Sequence, residues 1–266
     1  MNITIIGAGN AGWHLATGLA DAGHRIVQVF SRQISRAKLL ANKTRSKPVT
    51  DFSLILPGSD LYILAVPDSV IQSTALQLAS SIPADSIVVH CSGASPADLL
   101  VSAFRRSGVF WPPQTLSVNR PHRWSGAPIC ISSSDEGVLS ILIDIAADLG
   151  ASVHILTEAQ RKALHLAAVF VNNFTNHCLT AGHDICREAG VDFSILHPIA
   201  LQTIEGALAA DPATLQTGPA SRGDEVTLGT HQAYLHRHLP HWERLYQALS
   251  ESILRFSKSG SSSTNL

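Results

Sequence analysis

The stretch Ile3-Thr4-Ile5-Ile6-Gly7-Ala8-Gly9-Asn10-Ala11-Gly12 decides the fold. A β-branched run reads as a strand, it breaks at a glycine, and a G-x-G-x-x-G pattern then opens a helix over residues 11–22. In such a turn the first glycine makes the tight bend, the second lets the backbone approach a pyrophosphate, and the third lets helix and strand pack closely. The first helix's N-terminal amides would meet the anion. The expectation is a dinucleotide held at Gly7, Gly9, Asn10, Ala11 and Gly12, with a purely structural glycine turn as the alternative.

Working outward, β-branched runs keep alternating with helical patterns. Strands are expected over 25–30, 61–66, 86–90, 129–132 and 152–156, and helices over 36–42, 70–80, 96–106 and 137–149. Such alternation builds right-handed βαβ units on a parallel sheet, so the fold class is α/β, a doubly wound domain over residues 1–156. Thr157-Glu158-Ala159-Gln160 then reads as a capping box that opens a long helix to about residue 189. Strand signals stop there, and an all-α domain is expected over 157–256, with helices over 193–210 and 240–256 and a loop over 216–224. The small polar residues of 257–266 read as a disordered tail.

Composition narrows the function. The 266 residues carry 15% charged side chains, against roughly 25% in an average soluble domain, and 19 Lys+Arg balance 20 Asp+Glu. That balance offers no footprint for nucleic acid or an anionic membrane. Two domains with so little charge to cover them suggest apolar surface buried between subunits, hence a homodimer. The cysteines, Cys91, Cys130, Cys178 and Cys186, have no C-x-x-C spacing, and since Met1-Asn2-Ile3-Thr4-Ile5-Ile6 runs straight into Gly7, no export leader is expected. With no apolar run near the roughly 20 residues of a spanning helix, the expectation is a cytoplasmic protein.

An NAD-preferring site wants an acidic residue at the end of the second strand, to hold the ribose hydroxyls. Here that strand ends in Phe30-Ser31-Arg32, with Arg36 one turn on. A hydroxyl and a guanidinium in place of a carboxylate favour a 2′-phosphate, and so NADP. In the alternative reading Ser31 only caps the next helix and Arg32 is solvated.

Ligands of open α/β sheets sit beyond the carboxyl ends of the strands. Val66-Pro67-Asp68, His90-Cys91-Ser92-Gly93 and Trp111-Pro112-Pro113-Gln114-Thr115 stand there. Val66, Pro67 and Asp68 are candidates for the cofactor and Ser92 is a catalytic candidate at the substrate; the alternatives are Asp68 as a plain helix cap, and His90 and Ser92 in a loop bonded to itself. The helix after Gln160 is apolar around most of its circumference yet carries His165, Asn172, Asn173, Asn176 and His177. At 100° per residue, His165, Asn172, Asn176 and His183 fall within about 20° of one line. Buried amides and imidazoles need partners, which a substrate or a facing subunit could supply.

These strings resemble a family of NADP oxidoreductases in which a Rossmann-like domain is joined to a helical domain of unknown function. That family is distantly similar to pyrroline-5-carboxylate reductase, the deazaflavin-dependent NADP reductases and the β-hydroxyacid dehydrogenases. The resemblance runs through Gly7–Gly12, Phe30-Ser31-Arg32, Ala65–Asp68, His90–Gly93, Pro113-Gln114-Thr115, the helix from Gln160 to His177, and Thr217–Asp224. It implies a helical domain like the C-terminal domain of 6-phosphogluconate dehydrogenase and an NADP-binding dimer with its site in the interdomain cleft. The β-hydroxyacid dehydrogenases use a lysine and an asparagine four residues later on the corresponding helix. This chain has no lysine between Lys162 and Lys258, which argues against the hydroxyacid reaction; the expectation is His165 in the proton-transfer role, with Asn173 orienting the substrate.

The function expected is reduction of a small carbonyl or imine compound by NADPH; the alternative is a non-catalytic NADP(H) sensor. The histidines of His236-Arg237-His238-Leu239-Pro240-His241 do not read as a metal site, because the proline breaks any helical i, i+4 spacing. No metal is expected. Cys91 lacks a basic neighbour beyond His90, and a nucleophilic thiol is not expected either.

Overall fold

The structure, a computed structural model, describes residues 1–260, with side chains through Lys258. Among these, eight strands form one sheet: β1 (Asn2–Ile6), β2 (Arg25–Phe30), β3 (Lys47–Val49), β4 (Leu61–Leu64), β5 (Ile87–His90), β6 (Arg106–Trp111), β7 (Pro128–Ser132) and β8 (Ser152–Ile155). The order is β3-β2-β1-β4-β5-β6-β7-β8. The chain therefore winds outward from β1 in both directions, and the Gly7 turn leaves the sheet where the direction reverses.

Successive residues feed opposite faces, as the two-residue period of a strand requires. Ile3, Ile5, Leu61, Ile63 and Val89 pack with Leu15 and Leu19 of α1 (Asn10–Asp21) and with Leu142 and Ile145 of α4 (Glu136–Asp148). Ile6, Tyr62, Leu64 and Val88 pack on the other side with Ile71, Ala75 and Leu78 of α3 (Ile71–Leu78). Both faces are covered, as a parallel sheet needs. Helix α2 (Ile34–Thr44) adds Leu40 and Ala41 to the first face.

The sheet departs from an all-parallel one at β6 and β7, which pair antiparallel through Val109↔Ser132 and Trp111↔Cys130. A parallel neighbour needs a crossover element. The connection over 112–127 instead runs across α1: His14 Nε2 donates to the Ser117 carbonyl at 2.8 Å, Val118 N–H donates to Asn10 Oδ1 at 3.2 Å, and Trp124 Nε1 donates to the His14 carbonyl at 3.2 Å. The helix expected over 96–106 is also replaced. Only a 3-10 turn, Ala97–Leu99, forms there, because Leu100 and Phe104 turn into the core and the chain enters β6 at Arg106.

Two compact units divide at Asn172 and Asn173. The first includes α5 (Glu158–Ala168), whose capping box closes as the sequence suggests: Gln160 N–H donates to Thr157 Oγ1 at 3.3 Å, and Thr157 N–H donates to Gln160 Oε1 at 2.9 Å. The single helix expected to reach residue 189 is instead interrupted. A π-helical segment, Val169–Phe174, separates α5 from α6 (Thr175–Glu188). An i→i+5 turn winds less per residue than an α-turn, so the 100° line through His165, Asn172, Asn176 and His183 does not persist.

The second unit continues with α7 (His197–Ala209) after a 3-10 turn, the short α8 (Pro219–Arg222), α9 (Glu225–His238) and α10 (Pro240–Gly260). Leu235, Leu239 and Trp242 form its core with Ala181 and Ile185 of α6, and the Trp242 indole donates to Asp184 Oδ2 at 3.2 Å. Helix α10 includes 257–260, which the sequence reading gave to a disordered tail, and residues 261–266 of that tail lie outside the described residues. Among the described residues no helix is long and apolar enough to cross a membrane.

Candidate functional site

The turn after β1 is closed by contacts that only glycine permits. Gly7 has φ of +117°, and a methyl group on it would collide with the carbonyl oxygen of Ala65 at the end of β4. A methyl on Gly12 would collide with the Gly7 carbonyl oxygen. At Gly9, by contrast, a methyl would meet nothing within 4 Å. Two glycines close the turn against the protein, and the third leaves its outer side open. That is the asymmetry a pyrophosphate-binding loop requires, and the residues present fit the group.

The open side of Gly9 belongs to a cavity of about 1080 Å³, which Gly7, Ser31, Arg32, Arg36, Val66 and Pro67 help to line. It runs from the glycine turn to the end of β2. Of the sequence candidates, Asn10, Ala11, Gly12 and Asp68 do not line it. Asn10 is spent on Val118, Ala11 and Gly12 belong to α1, and Asp68 is exposed at the start of a 3-10 turn without a side-chain capping bond.

Ser31 serves both readings, since it lines the cavity while its Oγ accepts from Gln33 N–H at 3.2 Å. The charged groups on the lining are Arg32, Arg36 and Asp51. Asp51, which the sequence reading did not single out, follows β3, and its Oδ1 accepts from Ser53 N–H at 2.9 Å. That bond holds its carboxyl below the usual range. The strand that places it, β3, is short and contains Pro48, so it carries little strand signal.

A second group gathers at the ends of β5 and β6. His90 is fully buried, donates from Nε2 to the Pro96 carbonyl at 3.2 Å, and accepts at Nδ1 from Ser92 N–H at 3.1 Å. Burial, reinforced by the Arg161 charge, pushes its pKa down to about 4, so the ring is neutral at pH 7. Ser92 Oγ accepts from Ala94 N–H at 3.2 Å and from Ser95 N–H at 2.8 Å. This stretch is thus a loop bonded to itself. The Cys91 thiol is pushed up to about 12 by burial and is no nucleophile at neutral pH.

Gly93 lies between two rings. A methyl on it would stand 2.6 Å from His165 Cδ2 and 2.6 Å from Trp111 Cε2, and the two ring centroids are 5.7 Å apart. One turn earlier on α5, the Arg161 guanidinium is wholly buried, with Nη1 donating to the carbonyls of Ser92 and Gly93 at 3.0 Å each. The structure thus brings His165, Gly93, Trp111 and Arg161 together. Asn173 is exposed, at the first position of the second unit, in the π-helical segment. Sequence reasoning missed Arg161. The available signal was its i, i+4 spacing from His165 on an apolar helix face. Among the described residues no three His, Cys, Asp or Glu side chains gather to hold a metal ion.

Residues 2–93 match the family model described as NADP oxidoreductase, coenzyme F420-dependent, and residues 127–253 match a domain of unknown function, DUF2520. A solved protein of Bacteroides fragilis, named "putative NADP oxidoreductase", is 35% identical with a TM-score of 0.89, over 96% of this chain and 98% of its own. A Thermotoga maritima protein is 21% identical with a TM-score of 0.68, over 97% of this chain and 99% of its own. An imine reductase of Myxococcus stipitatus, solved with NADP+, is 17% identical with a TM-score of 0.73, over 98% of this chain and 95% of its own, a likeness of fold alone. No curated protein matches the chain.

Proposed function

Because the chain belongs to the NADP oxidoreductase family of the Bacteroides fragilis protein, we propose that it is an NADP(H)-dependent reductase of a small carbonyl or imine substrate. The observation that carries this reading is the glycine turn: closed on the protein side at Gly7 and Gly12, open at Gly9, and continued by a cavity to Arg32 and Arg36. Gly7, Gly9 and the N-terminal amides of α1 would hold the pyrophosphate. Ser31 and Arg32, aided by Arg36, would hold a 2′-phosphate, which the missing carboxylate at the end of β2 does not repel. Val66 and Pro67 would border the ribose on the nicotinamide side.

A bound nicotinamide supplies or accepts the hydride. The protein's part is a proton at the other end of the reduced double bond and a fixed substrate. His165 is the group assigned to that proton, held at the mouth of the β5 loop against Trp111. Ser92 is assigned to the same site: its hydroxyl accepts two backbone N–H groups and keeps its own O–H to donate. Asn173 is assigned to orienting the substrate, as in the resemblance.

The same proposal includes a homodimer formed through the helical unit. Leu201, Ile204 and Leu208 make an i, i+3, i+7 stripe on α7, and Leu208 is 84% exposed. An apolar stripe of that kind calls for cover, and a second copy supplies it. The free cysteines fit a cytoplasmic, reducing compartment.

The test is to incubate the protein with NADPH and a panel of small keto acids, aldehydes and cyclic imines and to follow loss of nicotinamide absorbance. Turnover on any member supports a reductase and begins to define its substrate. NADPH binding without turnover on a broad panel favours the sensor.

A further inference from the structure

The Arg161 side chain is a buried cation without a carboxylate partner. Its Nη1 reaches two consecutive carbonyls, those of Ser92 and Gly93, while Nε and Nη2 are buried with no hydrogen-bond partner among the described residues. Glu158, the nearest acid on the same helix, is engaged by Lys162 at 2.6 Å. Asp68 and Glu158 act on the guanidinium only through their fields. Burying a charge in this way is costly, and an apolar side chain of similar volume would pack there at lower cost. What the charge does and an apolar chain could not is grip the peptides on either side of Gly93.

That grip bears on His165. The two residues lie at i and i+4, on one face of α5, and both bear on Gly93. Arg161 holds the Ser92 and Gly93 carbonyls, and the His165 ring covers Gly93 so closely that a methyl group would not fit. We infer that Arg161 is a positioning residue: by fixing the Ser92–Gly93 carbonyls it seats the His165 imidazole over Gly93, with Trp111 on the other side of that glycine. The consequence for turnover rests on the reading of His165 given above, but the seating itself does not, and it can be measured without a substrate.

The test uses NMR of the full chain with labelled histidine. The His165 ring signals are identified by their loss in H165Q, and Trp111 gives them a ring-current shift. In R161M, which keeps volume and removes the charge, that shift collapses toward the value of an exposed histidine. R161K carries a charge that can still donate to both carbonyls and retains most of the shift. NADPH affinity in R161K stays within about twofold of the wild type, because Arg161 does not line the cofactor cavity. A wild-type His165 shift in R161M, or its loss in folded R161K, overturns the proposal. If R161M does not fold, R161Q and R161K decide by the same criterion. A wild-type His165 seat combined with no catalytic loss in H165Q would count against both readings. A displaced seat with no catalytic loss in H165Q would count only against the assignment of His165.

Discussion

The backbone N–H of Ser92 donates to Nδ1 of His90 at 3.1 Å, and this bond exists only while the imidazole is neutral. Protonation would remove the acceptor and place a second charge beside Arg161. The pKa of His90 is about 4 in the folded chain against 6.5 for a free histidine. The unfolded state therefore binds more protons between those values. Stability from this residue is fully present above about pH 6.5 and is lost as pH falls through about 4, by roughly 3 kcal/mol. Burial lowers the pKa of His24 and His122 as well, which acts in the same direction. Urea denaturation from pH 7 to pH 4 should show this slope, and H90Q should flatten it. An equal slope in H90Q would contradict the assignment.

The glycine turn predicts opposite outcomes for two alanine variants. G12A forces a methyl into the Gly7 carbonyl and should lower stability by about 1–3 kcal/mol or more. G9A meets open space, so its melting temperature should be unchanged while NADPH affinity falls about 10-fold or more, through loss of close pyrophosphate approach. Unchanged affinity in G9A would place the pyrophosphate elsewhere.

Arg32 and Arg36 are the cations on the cavity lining. R32D removes one and supplies a carboxylate that can bind ribose hydroxyls and repel a 2′-phosphate. The NADPH/NADH affinity ratio should fall about 10- to 100-fold, since a charge-assisted contact to phosphate is worth about 1.5–3 kcal/mol. Competitive titration of the two cofactors measures it, and an unchanged ratio would remove Arg32 from the site.

H165A should leave NADPH affinity within about twofold, because His165 is not on the cavity lining, while turnover falls about 100-fold or more. Single-turnover rates and cofactor binding on the same preparation separate the two effects. Wild-type turnover would end the proton-transfer assignment.

Much of the sheet unit was legible because its signals are local. The strand Arg25–Phe30 and the capping box at Thr157 were found where the sequence put them, since period and capping chemistry are written in adjacent residues. Failures came where distant contacts decide. Residues 96–105 have helical composition, but Leu100 and Phe104 must reach the core before β6 begins. The π-helical segment Val169–Phe174 has no distinctive residue pattern, and with it the alignment of His165 with Asn172 was lost. Helix α9 went unread because its polar and apolar residues follow no clear stripe. At the site, the glycine spacing exposed the phosphate turn, whereas Arg161 was marked in the sequence only by its i, i+4 spacing from His165, and its bonds to Ser92 and Gly93 follow from the packing of α5 against the β5 loop.

The proposed function rests on one binding event. Titration of the purified protein with NADPH and with NADH, followed by intrinsic fluorescence and by calorimetry, tests it most directly. The expected results are saturable binding of NADPH, weaker binding of NADH, and NADPH affinity about 10-fold or more lower in G9A. Failure of the folded protein to bind either cofactor would contradict it.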